Sequence, residues 1–216
     1  MQILDKNIST YIEKHSLKNI PDELLDIKNM ANINNIPIIL NETLSLLKLL
    51  IKIKKPKKIL EIGTAIGYSG SLMLLNSENS FLHTIEVNEN NFKEACKNFN
   101  SIGLTNRVCQ YLGDAKEILK DKIVLKDEID FLFIDAAKSQ YLDYFKLSEK
   151  FLSNNAFIFC DNILYKGIVA GIPHIRRNNT IENRMNEFVE FCINNKKYNF
   201  TLLNVGDGIL IGEKNE

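Results

Sequence analysis

The sequence predicts an α/β fold: a doubly wound, Rossmann-like sheet of seven strands behind an N-terminal helical layer. Three observations carry this. From Lys57 onward, short apolar runs alternate with segments of helical periodicity. The runs are apolar at nearly every position, as in strands covered by helices on both faces. Before Lys57 nothing reads as strand, because the patterned segments there have helical spacing.

The helical layer comes first. "ISTYIEKH" spaces its apolar residues as a helix does. Pro21-Asp22-Glu23 reads as a helix start, with proline in the first turn and acids near the positive dipole end. "ETLSLLKLLIKIKK" is a long amphipathic stretch. The strands then read "KKILEI", "FLHTIEV", "VCQYLG", "IDFLFID" and "AFIFCD". Helices are predicted between them, over 68–75, 89–102, 115–120 and 140–151. After Asp161 comes an irregular stretch, then a helix, "IENRMNEFVEFCINN". "YNFTLLNV" and "GILIG", joined by Gly206-Asp207-Gly208, are candidates for an antiparallel hairpin. No repeat or low-complexity linker interrupts the 216 residues, so one domain is expected: helices over 1–55 and an α/β core over 56–216.

Lys plus Arg and Asp plus Glu are each 27, so net charge neither supports nor excludes nucleic acid; only a local patch could. The first residues lack a signal-peptide core, and no apolar run approaches the ~18 residues of a membrane span. A cytoplasmic protein without membrane contact is expected. Cys96, Cys109, Cys160 and Cys192 are scattered without metal spacing and read as reduced, packed thiols.

In a doubly wound sheet, ligands bind beyond the carboxyl ends of the strands. The strand tips read Glu61, Glu86, Asp114, Asp135 and Asp161. Any one of these could be a turn or a helix cap; five in succession favour a site. "LEIGTAIGYSG" has Gly63 and Gly67 for a tight strand–helix turn. It is not the dinucleotide fingerprint, and its acid suits a cation better than a pyrophosphate. S-adenosylmethionine carries an ammonium and a sulfonium, which Glu61 and Asp135 would accommodate. Glu86 lies about twenty residues past the glycines, where an acid grips a ribose diol. Asp135, Asp161 and Asn162 offer three hard oxygen donors, suited to Mg²⁺, Ca²⁺ or Mn²⁺ rather than zinc. Lys138, three residues after Asp135, is a candidate general base or else a solvated lysine. His15, His83 and His174 form no catalytic arrangement.

Taken in order, "ILEIGTAIGYS", "TIEVNE", "GDA", "FIDAAK", "CDNILYKG" and "VGDGILI" resemble the cation-dependent, S-adenosylmethionine-dependent O-methyltransferases of the catechol and caffeoyl-CoA type, from about Ile36 to Gly212. Within that family the sequence resembles the bacterial tRNA 5-hydroxyuridine methyltransferases, which make 5-methoxyuridine at the wobble position. The resemblance implies a methyltransferase fold and donor contacts at Ile39, Ser69, Glu86, Asp114, Ala115 and Asp135. It implies Mg²⁺ held by Asp135, Asp161 and Asn162, with Lys138 where the catechol enzymes carry their base. It also suggests a homodimer. Ala136-Ala137 replace the bulky pair of the catechol enzyme, which suggests an open site suited to a nucleotide. The vicinal oxygens of 5-hydroxyuridine can chelate a metal as a catechol does, and a wobble base in an anticodon loop splays out without breaking a duplex.

For the RNA surface, Lys166, Arg176 and Arg177 follow the Asp161-Asn162 dyad, and Arg184 comes after; basic residues there could hold phosphates. Lys52, Lys54, Lys55, Lys57 and Lys58 lead into the first strand and read as a solvated run on the opposite edge. The alternative acceptor is a small catechol or phenolic compound. A non-catalytic binding protein would lack the metal donors or Lys138, and all are present.

Overall fold

The computed structural model describes residues 6–16, 20–120, 128–173 and 178–215. Its strands are β1 (Lys58–Ile62), β2 (Phe81–Glu86), β3 (Val108–Leu112), β4 (Ile129–Ile134), β5 (Leu152–Cys160), β6 (Tyr198–Leu203) and β7 (Ile209–Lys214). They form one sheet in the order β3-β2-β1-β4-β5-β7-β6. The first five pair in parallel, whereas β7 runs antiparallel to both β5 and β6. This is the doubly wound, seven-stranded α/β architecture expected from the sequence, including the terminal hairpin.

The helices are α1 (Lys6–Ser16), α2 (Asp22–Ile33), α3 (Asn41–Lys54), α4 (Tyr68–Leu75), α5 (Glu89–Ser101), α6 (Ala115–Lys120), α7 (Tyr141–Ser148) and α8 (Asn179–Ile193). Side-chain alternation along each strand divides them between two faces. Ile59, Phe131, Phe133 and Phe159 point toward α2–α5 and pack with Leu24, Leu47, Leu72 and Phe99. Leu60, Ile62, Leu132, Ile134 and Ile158 point the other way and pack with Leu119, Phe145, Met185 and Phe188. So α2 and α3 cover the sheet as a layer. Truncating one of the fully buried phenylalanines would cost about 3–5 kcal/mol. Among the described residues, no helix is long and apolar enough to cross a membrane.

Two element boundaries differ from the sequence reading. The segment predicted as one helix over 140–151 is α7 flanked by 3₁₀ turns at Lys138–Gln140 and Glu149–Phe151. β5 begins at Leu152, four residues before the apolar run, because Leu152 pairs with Ile129 across a register irregularity. Polar Ser153, Asn154 and Asn155 hide that start, since tertiary pairing overrides propensity there.

Parallel register sets the site. Ile62 aligns with both Ile85 and Ile134, and Ile134 aligns with Cys160. The residues that follow, Gly63, Asp135 and Asp161, therefore emerge at one level. Backbone bonds carry the ladder one step further, from Asp135 N–H to Ile62 O and from Asp161 N–H to Ile134 O, each 3.0 Å. The strand order reverses at β1, between β2 and β4, the switch point where doubly wound folds bind ligands.

Candidate active site

Two cavities open at this edge and share Gly63. The larger, about 730 Å³, is lined by Ile39, Gly63, Ser69, Asp135, Lys138, Asn162 and Lys166, with Tyr68, Tyr165 and Asp207. The smaller, about 260 Å³, is lined by Glu86, Gly113, Asp114 and Ala115, with Gln140 and Tyr144. Gly63 has φ +102°, and a Cβ there would collide with the Asp135 carbonyl oxygen. Only glycine lets the β1 and β4 ends approach this closely.

Glu86, the last residue of β2, is locked by its surroundings. Its Oε2 accepts from Ala65 N–H at 2.8 Å and its Oε1 from Asn88 N–H at 2.7 Å. Asn88 in turn caps α5, accepting from Asn90 and Asn91 N–H. Asp114 accepts from Lys116 N–H at 2.8 Å at the start of α6. These groups and the glycine cradle fit a nucleoside with a ribose diol.

The sequence reading of Glu61 needs correction. It lies one residue inside β1 rather than at its tip, alternates onto the α4 face, is fully buried, and lines neither cavity. Ser69 Oγ donates to Glu61 Oε1 at 2.5 Å and Thr84 Oγ1 to Oε2 at 2.6 Å. Burial pushes this carboxyl up to about 7, against the two hydroxyl donors, which favour the anion. Its reach to a ligand is through Ser69 and through its field.

The oxygen donors gather around a cation. Lys138 Nζ donates to Asp135 Oδ1 at 2.8 Å, to Asn162 Oδ1 at 2.7 Å and to Tyr141 OH at 3.1 Å. Tyr141 OH donates to the Asp161 carbonyl at 3.0 Å. Asp161 is fully buried; its Oδ1 accepts from Asn162 N–H at 2.7 Å, and its Oδ2 has no partner. Burial first, then the Asp135 charge, lifts the Asp161 carboxyl to about 7. A buried carboxylate oxygen without a donor calls for a cation or a proton. An all-oxygen set of two carboxylates and an amide fits a hard divalent ion. Among the described residues, no group of three or more His, Cys, Asp or Glu side chains gathers as a metal cluster, so the amide of Asn162 is essential to the fit.

Lys166 stands on the cavity lip, as the sequence suggests. Arg176 and Arg177, the other candidate RNA contacts, lie outside the described residues, as does His174. The lysine run falls at the opposite edge, where Asp130 accepts from Lys57 and Lys58 N–H. His83 packs in β2 against Tyr111, and the four cysteines are free. Sequence reasoning missed Tyr141 and Asp207. Tyr141 follows Lys138 by three residues, a readable spacing. Asp207 carries only a turn signal, because its place depends on β7 returning beside β5.

A profile of the O-methyltransferase family matches residues 6–215. A crystal structure from Staphylococcus aureus, provisionally named a caffeoyl-CoA O-methyltransferase, superposes with a TM-score of 0.87 at 32% identity, covering 97% of this chain and 100% of that one. The Bacillus cereus O-methyltransferase in complex with S-adenosylhomocysteine superposes with a TM-score of 0.83 at 25% identity, covering 96% and 97%. A catechol O-methyltransferase of Niastella koreensis is 34% identical over 125 residues, 57% of each chain. The match over nearly the whole chain, on a fold whose strand ends carry this site, shows that the protein belongs to the O-methyltransferase family.

Proposed function

We propose that the protein transfers a methyl group from S-adenosylmethionine, with the help of a divalent cation, to a hydroxyl flanked by a second oxygen, and that this acceptor is the wobble 5-hydroxyuridine of tRNA. The carrying observation is the Asp135, Asp161 and Asn162 donor set beneath an open cavity that adjoins a nucleoside-sized one.

S-adenosylmethionine supplies an electrophilic methyl group when bound. Glu86 is pre-set by Ala65 and Asn88 to take the ribose diol, and Asp114-Ala115 to meet the base. Ile39, Ser69 and Asp135 face the larger cavity, where the methionine end would lie. The carboxylates of Asp135 and Glu86 at the cavity walls favour a cationic donor. A divalent ion held by Asp135, Asp161 and Asn162 would acidify the acceptor hydroxyl and orient it. Lys138 Nζ stands at the cavity wall and would receive the acceptor proton as a neutral amine, once the divalent ion takes its place beside Asp135 and Asn162 and its own proton has left. Fixing donor and acceptor in line supplies much of the rate.

The short Ala136 side chain in the wall and Lys166 at the lip favour a large anionic acceptor over a small neutral one. A cytoplasmic location and a homodimer accord with this reading. A small catechol is the second reading, favoured by the apolar strip Pro37–Leu40 on the opposite wall and by the names of the relatives. Nucleoside mass spectrometry of tRNA from a deletion strain tests the first. Loss of 5-methoxyuridine with accumulation of 5-hydroxyuridine supports it, and an unchanged profile rejects it. Parallel assays on hydroxylated tRNA and catechol separate the two.

A further inference from the structure

The segment after Asn162 has an unusual backbone. Asn162, Tyr165 and Lys166 have φ of +54°, +45° and +57°, although none is glycine. Such conformations persist only where the surroundings impose them. Here the β6–β7 turn imposes them. Ile163 N–H donates to Gly208 O at 2.9 Å and Leu164 N–H to Asp207 O at 2.9 Å. Lys166 N–H donates to the Asp207 carboxylate, Oδ1, at 2.6 Å. The same turn abuts the opposite wall, since a Cβ on Gly206 would strike Thr43 Oγ1 in the first turn of α3. The turn is therefore wedged between the two sides of the large cavity.

We propose that Asp207 is a positioning residue for the acceptor: its carboxylate and carbonyl hold residues 163–166 in the conformation that presents Tyr165 and Lys166 to the cavity. Glu86, Asp114 and Ala115, three of the donor's predicted contacts, line the other cavity; Ile39, Ser69 and Asp135 share the large cavity with Asp207, whose side-chain bond goes to Lys166 N–H instead. Its effect should therefore fall on the acceptor side, where Tyr165 and Lys166 stand. The acceptor arm of this inference rests on the proposed methyl transfer; the backbone arm does not.

The test compares Asp207→Ala and Asp207→Asn in the full-length protein. Loss of the carboxylate should speed hydrogen exchange at the Lys166 amide and raise the acceptor KM about ten-fold. kcat should stay within about two-fold, and the affinity for S-adenosylmethionine should be unchanged. Asp207→Asn keeps an oxygen acceptor and should restore most of the loss. A purely structural role would lower the melting temperature without moving KM. The inference is overturned by unchanged exchange, by an unchanged KM, by an Asn variant no better than Ala, or by donor affinity falling in step. If Asp207→Ala does not fold, Asp207→Ser carries the same comparison. If the wild-type protein methylates neither hydroxylated tRNA nor catechol, the proposed function falls, and exchange at Lys166 still decides whether Asp207 holds the loop.

Discussion

The Lys138 ammonium and the Asp135 carboxylate meet at 2.8 Å, with side chains 15% and 26% exposed, on the wall of the larger cavity. This is neither a solvated surface pair nor a sealed one. Asn162 and Tyr141 complete the shell around the ammonium. The geometry holds Nζ at one point of the wall; as an ammonium donating to three partners it could take the proton of a bound hydroxyl only after losing its own proton and these contacts.

Tyr141 controls that point, because its hydroxyl links Lys138 to the Asp161 carbonyl. Tyr141→Phe should lower kcat about ten-fold, with donor affinity unchanged, since a buried polar pair loses its bridge. Steady-state kinetics beside calorimetric titration of S-adenosylmethionine would show it. Equal losses in both would point to collapse of the site instead.

Metal dependence follows from the unpartnered Asp161 Oδ2. Chelation should abolish methyl transfer, and Mg²⁺ or Mn²⁺ should restore it. Asp161→Ala should remove activity by about 10²-fold or more while S-adenosylmethionine still binds. Full activity after exhaustive chelation would refute the cation's role.

Glu61 should make stability depend on pH. Burial raises its carboxyl from 4.5 in the unfolded chain to about 7 in the fold. The folded state thus binds the proton more tightly. The stabilisation is complete below the unfolded value and is lost as pH rises through the folded one. Between pH 4 and pH 8 this group should remove on the order of 2–3 kcal/mol, and Glu61→Gln should flatten that slope. Urea unfolding at several pH values measures it; identical slopes in the two proteins would sink the assignment.

Gly63→Ala should fail on two counts, a φ of +102° and a clash with the Asp135 carbonyl. A loss of about 1–3 kcal/mol in stability is expected from the backbone strain alone. Weaker donor binding should accompany it. Thermal melts with and without S-adenosylmethionine check both.

Lys166 separates the acceptor readings. With tRNA, Lys166→Ala should weaken binding and lower the salt slope by ~1 for one lost phosphate contact. With catechol the same variant should behave like wild type. Loss of activity on catechol alone would favour the small-molecule reading.

The fold was legible because its signals are local. Five apolar runs each ended at or next to an acid, helices alternated with them, and a turn joined the last two strands. The residues of the oxygen set and Lys138 were legible for the same reason, since each follows a strand directly or by a short step. Glu61 was misplaced because a strand's last residues look alike in sequence, whereas side-chain alternation sends them to opposite faces. Tyr141 and Asp207 were missed because neither carries a local mark of the site.

By itself the sequence determined the strand–helix alternation, the acids after the strands and the glycines that let the chain turn there. All of these depend on residues within a turn or two of one another. Only the tertiary structure decided which of them meet. Alignment of Ile62, Ile134 and Cys160 brings Asp135 beside Asp161, and the antiparallel return of β7 sets Asp207 against Lys166. Register arises from hydrogen bonds and packing between segments far apart in the chain, and neighbours across a sheet follow from that pairing, which no short stretch of sequence contains.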